Sequence, residues 1–148
     1  MSIFPTRILL ATDGSKEAAL AARTAVDLSD RTNSELHVLY VYHPRQVPYA
    51  YDERYPEPEA PGGEDRRLLE RQVRSVEEVG GTIAGAHLRK GDPDAEIVAA
   101  GEELGAGLII MGSRGHGGIR RALMGSVSDS VVRHAHCPVM VIRAEDDR

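Results

Sequence analysis

The apolar run Leu108-Ile109-Ile110 passes directly into Met111-Gly112-Ser113-Arg114-Gly115-His116-Gly117-Gly118, and no other feature restricts the fold as much. Three large aliphatic residues in a row read as a strand buried on both faces, and the glycines mark its end. Gly112 and Gly115 are expected to let the backbone take positive φ and approach a ligand without an intervening Cβ, turning amides toward an anion. Downstream, Gly125-Ser126 precedes Val127, Val131 and Ala135, which recur at every fourth position. That pattern predicts a helix with Ser126 as its N-cap and Asp129 completing a Ser-x-x-Asp capping box. The amides at that helix start offer a second anion site. Residues 116–124 separate the two donor clusters, enough chain to wrap an extended polyphosphate, with Arg114, Arg120 and Arg121 as nearby positive charge.

Two known phosphate loops fail on this segment. A Walker loop needs Gly-x-x-x-x-Gly-Lys-Ser/Thr; Gly112 and Gly117 have the right separation, but Gly118-Ile119 stand in place of Lys and Ser/Thr. The dinucleotide fingerprint fits Gly115 and Gly117 but requires glycine where Arg120 sits. The pattern that remains is Gly-x2-Gly-x9-Gly-Ser, realised as Gly112, Gly115, Gly125 and Ser126. It resembles the ATP-binding signature of the universal stress protein family. The resemblance extends from Arg-Ile-Leu-Leu-Ala-Thr-Asp-Gly-Ser at 7–15 to His-Cys-Pro-Val-Met-Val-Ile at 136–142. Part of that family lacks the glycines and does not bind ATP, so the intact motif resembles the ATP-binding branch. The plainer alternative is that the glycines only let a strand-to-helix crossover turn tightly.

At 148 residues the chain reads as one domain, 1–148, long enough to bury about two thirds of its unfolded surface. A net charge of −5 argues against broad attraction to nucleic acid or to anionic lipid, so any phosphate binding is local. A lone cysteine, Cys137, and the lack of a leader or an apolar run near 18 residues point to a cytoplasmic home with no membrane span. Beside Pro138 at a strand entry, Cys137 reads as a small buried hydrophobe rather than a reactive thiol.

In chain order, residues 7–12 form a first strand ending at Asp13-Gly14-Ser15, with Ser15 as N-cap of a helix. Ala18, Ala22, Ala25 and Val26 fall on its buried face, whereas Lys16, Glu17, Arg23, Asp27 and Asp30 read as a solvated surface. Residues 36–42 make a second strand, almost unbroken in apolar character, as expected when helices cover both sheet faces. Residues 43–63 hold five of the eight prolines and fit no periodic element, so a mobile surface loop is favoured over a ligand-gripping one. A helix over 64–80 buries Leu69, Val73, Val76 and Val79; a weaker strand spans 82–88. Gly91-Asp92-Pro93 launches a helix with Ile97, Ala100 and Leu104 inward, stopped by Gly105. Strands over 107–111 and 138–142 follow, and 144–148 is read as a frayed tail.

Five strands alternating with four helices predict an α/β fold: a single-domain, doubly wound, five-stranded parallel sheet of order 3-2-1-4-5 with helices on both faces, Rossmann-like in plan. In that order Asp13 and Gly112 face each other across the crevice where the strand order reverses. Asp13 is then placed to accept from a ribose hydroxyl or the adenine amine, or to cap its own Gly14-Ser15 turn. Ala11 and Thr12 would line the base, and the resemblance implies that Val41 offers backbone groups and an apolar wall to adenine. Met111, Gly112, Arg114, Gly115, Gly125, Ser126, Val127 and Ser128 complete the expected cofactor-binding set. Arg114 is equally readable as merely solvated, Ser126 as a plain cap, and His116 lacks a partner to orient it for acid-base work. No metal-ligand spacing is visible, so any Mg2+ or Mn2+ would be held mainly by ATP phosphates.

The apolar edge segment 138–142 needs cover, and pairing with its two-fold mate would supply it. A homodimer is also what the resemblance implies. So is the role: an ATP-binding stress-response protein, not an enzyme, acting as a nucleotide-dependent switch or sensor for an unknown regulatory partner. The alternative is a slow ATP hydrolase or phosphotransferase, for which neither a fixed lysine nor a positioned base is identifiable.

Overall fold

The computed structural model describes residues 2–43, 63–113 and 125–144. Its elements are β1 (Arg7–Thr12), α1 (Lys16–Thr32), β2 (Glu35–Tyr42), α2 (Gly63–Glu78), β3 (Ile83–Lys90), α3 (Pro93–Leu104), β4 (Leu108–Gly112), α4 (Ser126–His134) and β5 (Val139–Ile142). The five strands form one sheet of order β3-β2-β1-β4-β5, every neighbouring pair parallel. This is the single-domain, doubly wound architecture expected from the alternation of apolar runs and amphipathic segments.

The two-residue period of a strand divides the core into two layers. Ile8, Leu10, Leu36, Val38, Leu108 and Ile110 face α1 and α2, where Ala21, Ala25, Leu69 and Val76 meet them. Leu9, Ala11, Leu39, Ile109 and Met111 face α3 and α4, against Ile97, Ala100 and Val131. Central strands buried on both sides leave no room for polar alternation, hence their continuous apolar sequence. Small residues bring α1 close to the sheet, and Ser15 caps it, its hydroxyl oxygen accepting from the Ala18 amide at 3.2 Å. Asn33 ends α1 in the left-handed region at φ 56°, and Gly105 ends α3 the same way at φ 64°.

Some boundaries differ from expectation. α2 stops at Glu78, so Val79 is exposed rather than buried. β3 reaches Lys90, two residues beyond the expected end, because it continues pairing with β2 as far as Tyr42. Asp92 stands at the N-cap of α3, yet its side chain makes no capping hydrogen bond. Of the loop expected over 43–63, only the two end residues lie within the described part, and of the 144–148 tail only Ala144. Among the described residues no helix is long and apolar enough to cross a membrane.

Candidate functional site

The chain leaves β1 for α1 on one face and leaves β4 for α4 on the other, so the carboxyl ends of β1 and β4 diverge and open a crevice. A cleft of about 440 Å³ lies there, within the range of small-molecule sites, roughly 300–1,000 Å³. Ala11, Thr12 and Asp13 enter it from β1, Val41 from β2, and Met111 and Gly112 from β4. Gly125, Ser126, Val127 and Ser128 enter from the start of α4. Arg114 and Gly115, with His116, Arg120 and Arg121, lie outside the described residues. Leu39 and Ile97 add to the apolar wall next to Val41, and Tyr40, Pro93 and Ser113 also line the cleft without having been marked by sequence.

Asp13 caps its own turn and also borders the cleft. Its Oδ1 accepts from the Ser15 amide at 2.9 Å, closing an Asx turn, while the residue borders the cleft. The Thr12 hydroxyl donates to Gln72 Oε1 at 3.2 Å and accepts from the Gly14 amide at 3.3 Å, which ties the end of β1 to α2.

The glycine loop departs from expectation at both described ends. Gly112 is not among the positive-φ glycines. Glycine suits the position because a Cβ there would lie 3.0 Å from Glu17 Cβ and 3.1 Å from the Glu17 backbone carbon, a tight fit where the start of α1 presses on β4. The Ser113 amide does not turn toward an anion either, because it donates to the Ile142 carbonyl at 2.8 Å and extends the β4–β5 ladder. At the far end Gly125, not Ser126, is the N-cap of α4, and Ser126 is the exposed first helical residue. Asp129 makes an ion pair with Arg133 one turn along, at 3.1 Å, instead of forming a capping box. The helical ladder begins with the Asp129 amide donating to the Gly125 carbonyl at 3.0 Å. The amides of Ser126, Val127 and Ser128 therefore have no helical acceptor and carry the positive end of the helix dipole.

Ser113 joins the two ends. Its carbonyl accepts from the Gly125 amide and, at 2.6 Å, from the Ser128 hydroxyl, so that hydroxyl faces the backbone rather than a ligand. The Ser113 hydroxyl donates to Glu17 Oε2 at 2.6 Å. Glu17, read from sequence as part of a solvated face, is 7% exposed. The i, i+4 row Glu17-Ala21-Ala25 is buried throughout, and including Ala21 in the inward face would have drawn Glu17 with it.

Serine, histidine and aspartate also meet between α3 and α4, in the wrong order for nucleophilic chemistry. The Ser130 hydroxyl donates to Asp94 Oδ2 at 2.8 Å, and that bond holds the Asp94 carboxyl below its usual range. His134 Nδ1 is 2.8 Å from the Ser130 carbonyl, which can only accept, so Nδ1 carries the proton and cannot serve as a base for the hydroxyl. Burial pushes the Cys137 thiol up, which suits an inert residue. Among the described residues no cluster of three His, Cys, Asp or Glu side chains could hold a metal ion.

The sequence matches the family model described as the universal stress protein family over residues 5–143. A universal stress protein of Methanocaldococcus jannaschii is 32% identical over 139 residues, covering 93% of this chain and 81% of that one. The solved universal stress protein from Lactobacillus plantarum superposes with a TM-score of 0.76 at 25% identity, covering 96% of this chain and all of the other. An Arabidopsis thaliana family member with AMP bound gives 0.65 at 24% identity, with coverages of 97% and 95%. The Archaeoglobus fulgidus protein in complex with dAMP gives 0.64 at 22%, with coverages of 95% and 99%. This chain belongs to the universal stress protein family.

Proposed function

We propose that this protein is a cytosolic adenine-nucleotide module of the ATP-binding branch, whose bound state alters its surface for a regulatory partner. The observation that carries this reading is convergence: all ten described residues singled out for a nucleotide border one cleft, into which the first turn of α4 opens. Solved family members holding AMP and dAMP support it. Adenine would lie against Leu39, Val41 and Ile97, and a ribose hydroxyl would reach Asp13. The phosphates would meet the amides of Ser126, Val127 and Ser128, where the helix dipole favours negative charge. Any Mg2+ or Mn2+ would be held by phosphate oxygens and water. The module would work as a homodimer paired through the β5 edge, and its role would be binding rather than turnover.

Freshly purified protein, denatured and analysed by mass spectrometry, is expected to release an adenine nucleotide, and calorimetry is expected to rank ATP against ADP and AMP. Gly125→Phe supplies the decisive comparison. Gly125 has φ −77° and ψ 166°, extended backbone that any residue adopts, so this substitution adds bulk at a residue bordering the cleft without demanding an unusual backbone conformation. ATP binding should vanish while the circular dichroism spectrum stays unchanged. Unaltered ATP affinity in that variant would overturn the site, and many turnovers per minute by the wild type with ATP and Mg2+ would favour an enzyme instead.

A further inference from the structure

Glu17 is a carboxylate buried within the fold, close to a site meant for anions, a placement that is unfavourable unless the group is needed. Its bond to Ser113 explains the placement. Ser113 is 1% exposed and takes part in four hydrogen bonds: its amide to Ile142, its carbonyl from Gly125 and from Ser128, its hydroxyl to Glu17. Three of these tie it to β5 and α4. The fourth anchors it to the start of α1, on the opposite face of the sheet, through a short buried bond to the Glu17 carboxyl. Gly112 reinforces the same junction, since without a Cβ it lets β4 seat closely against the Glu17 backbone.

Resting on the nucleotide reading above, we propose that Glu17 is a positioning residue for the phosphate end of the cleft. Through Ser113 it fixes the separation between the end of β4 and the first turn of α4. Its own charge does not help the ligand; its oxygen does, by keeping the Ser113 carbonyl aimed at Gly125 and Ser128. The role therefore requires an acceptor at this position, not a negative charge.

Two readouts on the full chain test this role: calorimetric affinity for ATP and for adenosine, and hydrogen exchange of the Gly125 amide. In Glu17→Ala the ATP affinity should fall about tenfold, the worth of one buried hydrogen bond. Adenosine, which lacks phosphates, should bind within about twofold of wild type, and Gly125 exchange should accelerate by about the same factor as ATP affinity falls. Glu17→Gln keeps the acceptor and removes the charge, and should bind ATP at least as well as wild type. Ser113→Ala should mimic Glu17→Ala, and the double variant should be no weaker than either single one. Unchanged ATP affinity and Gly125 protection in Glu17→Ala, an equal loss of adenosine, or a loss in Glu17→Gln as deep as in Glu17→Ala would each overturn the role. Wild-type protein that binds neither ATP nor adenosine would overturn the nucleotide reading and this role with it, whereas wild-type binding with an indifferent Glu17→Ala overturns this role alone.

Discussion

His37 on β2 and His87 on β3 place Nδ1 and Nε2 3.1 Å apart with their rings stacked, centroids 5.3 Å apart. Gly85 makes the pair possible: a Cβ there would come within 2.8 Å of His37 Nδ1 and 2.9 Å of His87 Nε2. One nitrogen must donate and the other accept, so at least one ring is neutral at its facing atom. The buried His37 Nε2 makes no hydrogen bond; Glu35 Oε2, 3.6 Å away, is too distant for one. Arg89, two residues beyond His87 on β3, bears on the pair and is itself held by Glu96 and Glu103 of α3. Burial, then the charges of His37 and Arg89, lower the His87 pKa from 6.5. The unfolded chain thus takes up this proton at higher pH than the native one. The associated stability is complete above pH 6.5 and is lost as pH falls through the lower native value. Urea midpoints measured from pH 7.5 to pH 5 should fall for the wild type and stay flatter for His87→Gln; parallel curves would refute this origin. Glu35, Glu103 and Asp94 have native pKa values below 4.5, 4.5 and 3.8, so their contributions disappear only at still lower pH.

Among the elements, the contact between β4 and α1 decides how the site is framed. Gly112→Ala places a methyl group against the Glu17 carbonyl carbon at 3.1 Å and the Ala18 amide nitrogen at 3.2 Å, atoms of a capped helix that cannot rotate away. Overpacking of this kind should destabilise by about 1–3 kcal/mol in urea unfolding; a change below about 0.5 kcal/mol, ordinary for a surface substitution, would mean that the helix yields. The elements themselves were largely legible in the sequence. Ser15 and Gly105 signalled helix ends, the run from Leu108 to Ile110 signalled a doubly buried strand, and the alternation of such pieces pointed to a doubly wound parallel sheet. Local pattern also found the cleft residues at the end of β4 and the start of α4, because glycines and a helix start fall in one stretch, whereas Val41 came only from the family resemblance. It failed wherever partners were distant. The Glu17–Ser113 bond joins positions 96 apart, and no periodicity announces it. Ser126 was misjudged as a cap because Gly125 leaves no side chain to compete for that reading, while the hydroxyl that bonds the Gly125 carbonyl belongs to Ser128, two residues on. Gly112 was credited with backbone freedom when close packing, invisible in sequence, is what favours it.

For the whole molecule, the open question is what covers β5, the last strand of the sheet. The Ile109 amide donates to the Pro138 carbonyl and the Ser113 amide to the Ile142 carbonyl, so the even-numbered residues of β5 turn their backbone toward β4. By the alternation of a parallel ladder, Val139 and Val141 turn theirs outward along the open edge. Met140 and Ile142 pack into the α1 layer, and Val139 into the α3–α4 layer, so the strand cannot rotate to hide that edge. Proline at Val141 removes an outward amide and leaves the β4 pairing intact, a kind of strand position that proline tolerates. If two copies pair here, sedimentation of the wild type should give twice the 16.1 kDa chain mass, and Val141→Pro should sediment as a single chain with an unchanged circular dichroism spectrum. A wild type that sediments as a single chain at tens of micromolar, or a Val141→Pro variant that stays dimeric, would remove β5 as the interface. Because the Ile142 carbonyl accepts from the amide of Ser113, which lines the cleft, the strand that carries the edge is bonded to the site, and a dimer formed there would stiffen Ser113 from behind. ATP affinity in Val141→Pro should then fall along with the dimer, and independence of the two would separate assembly from binding.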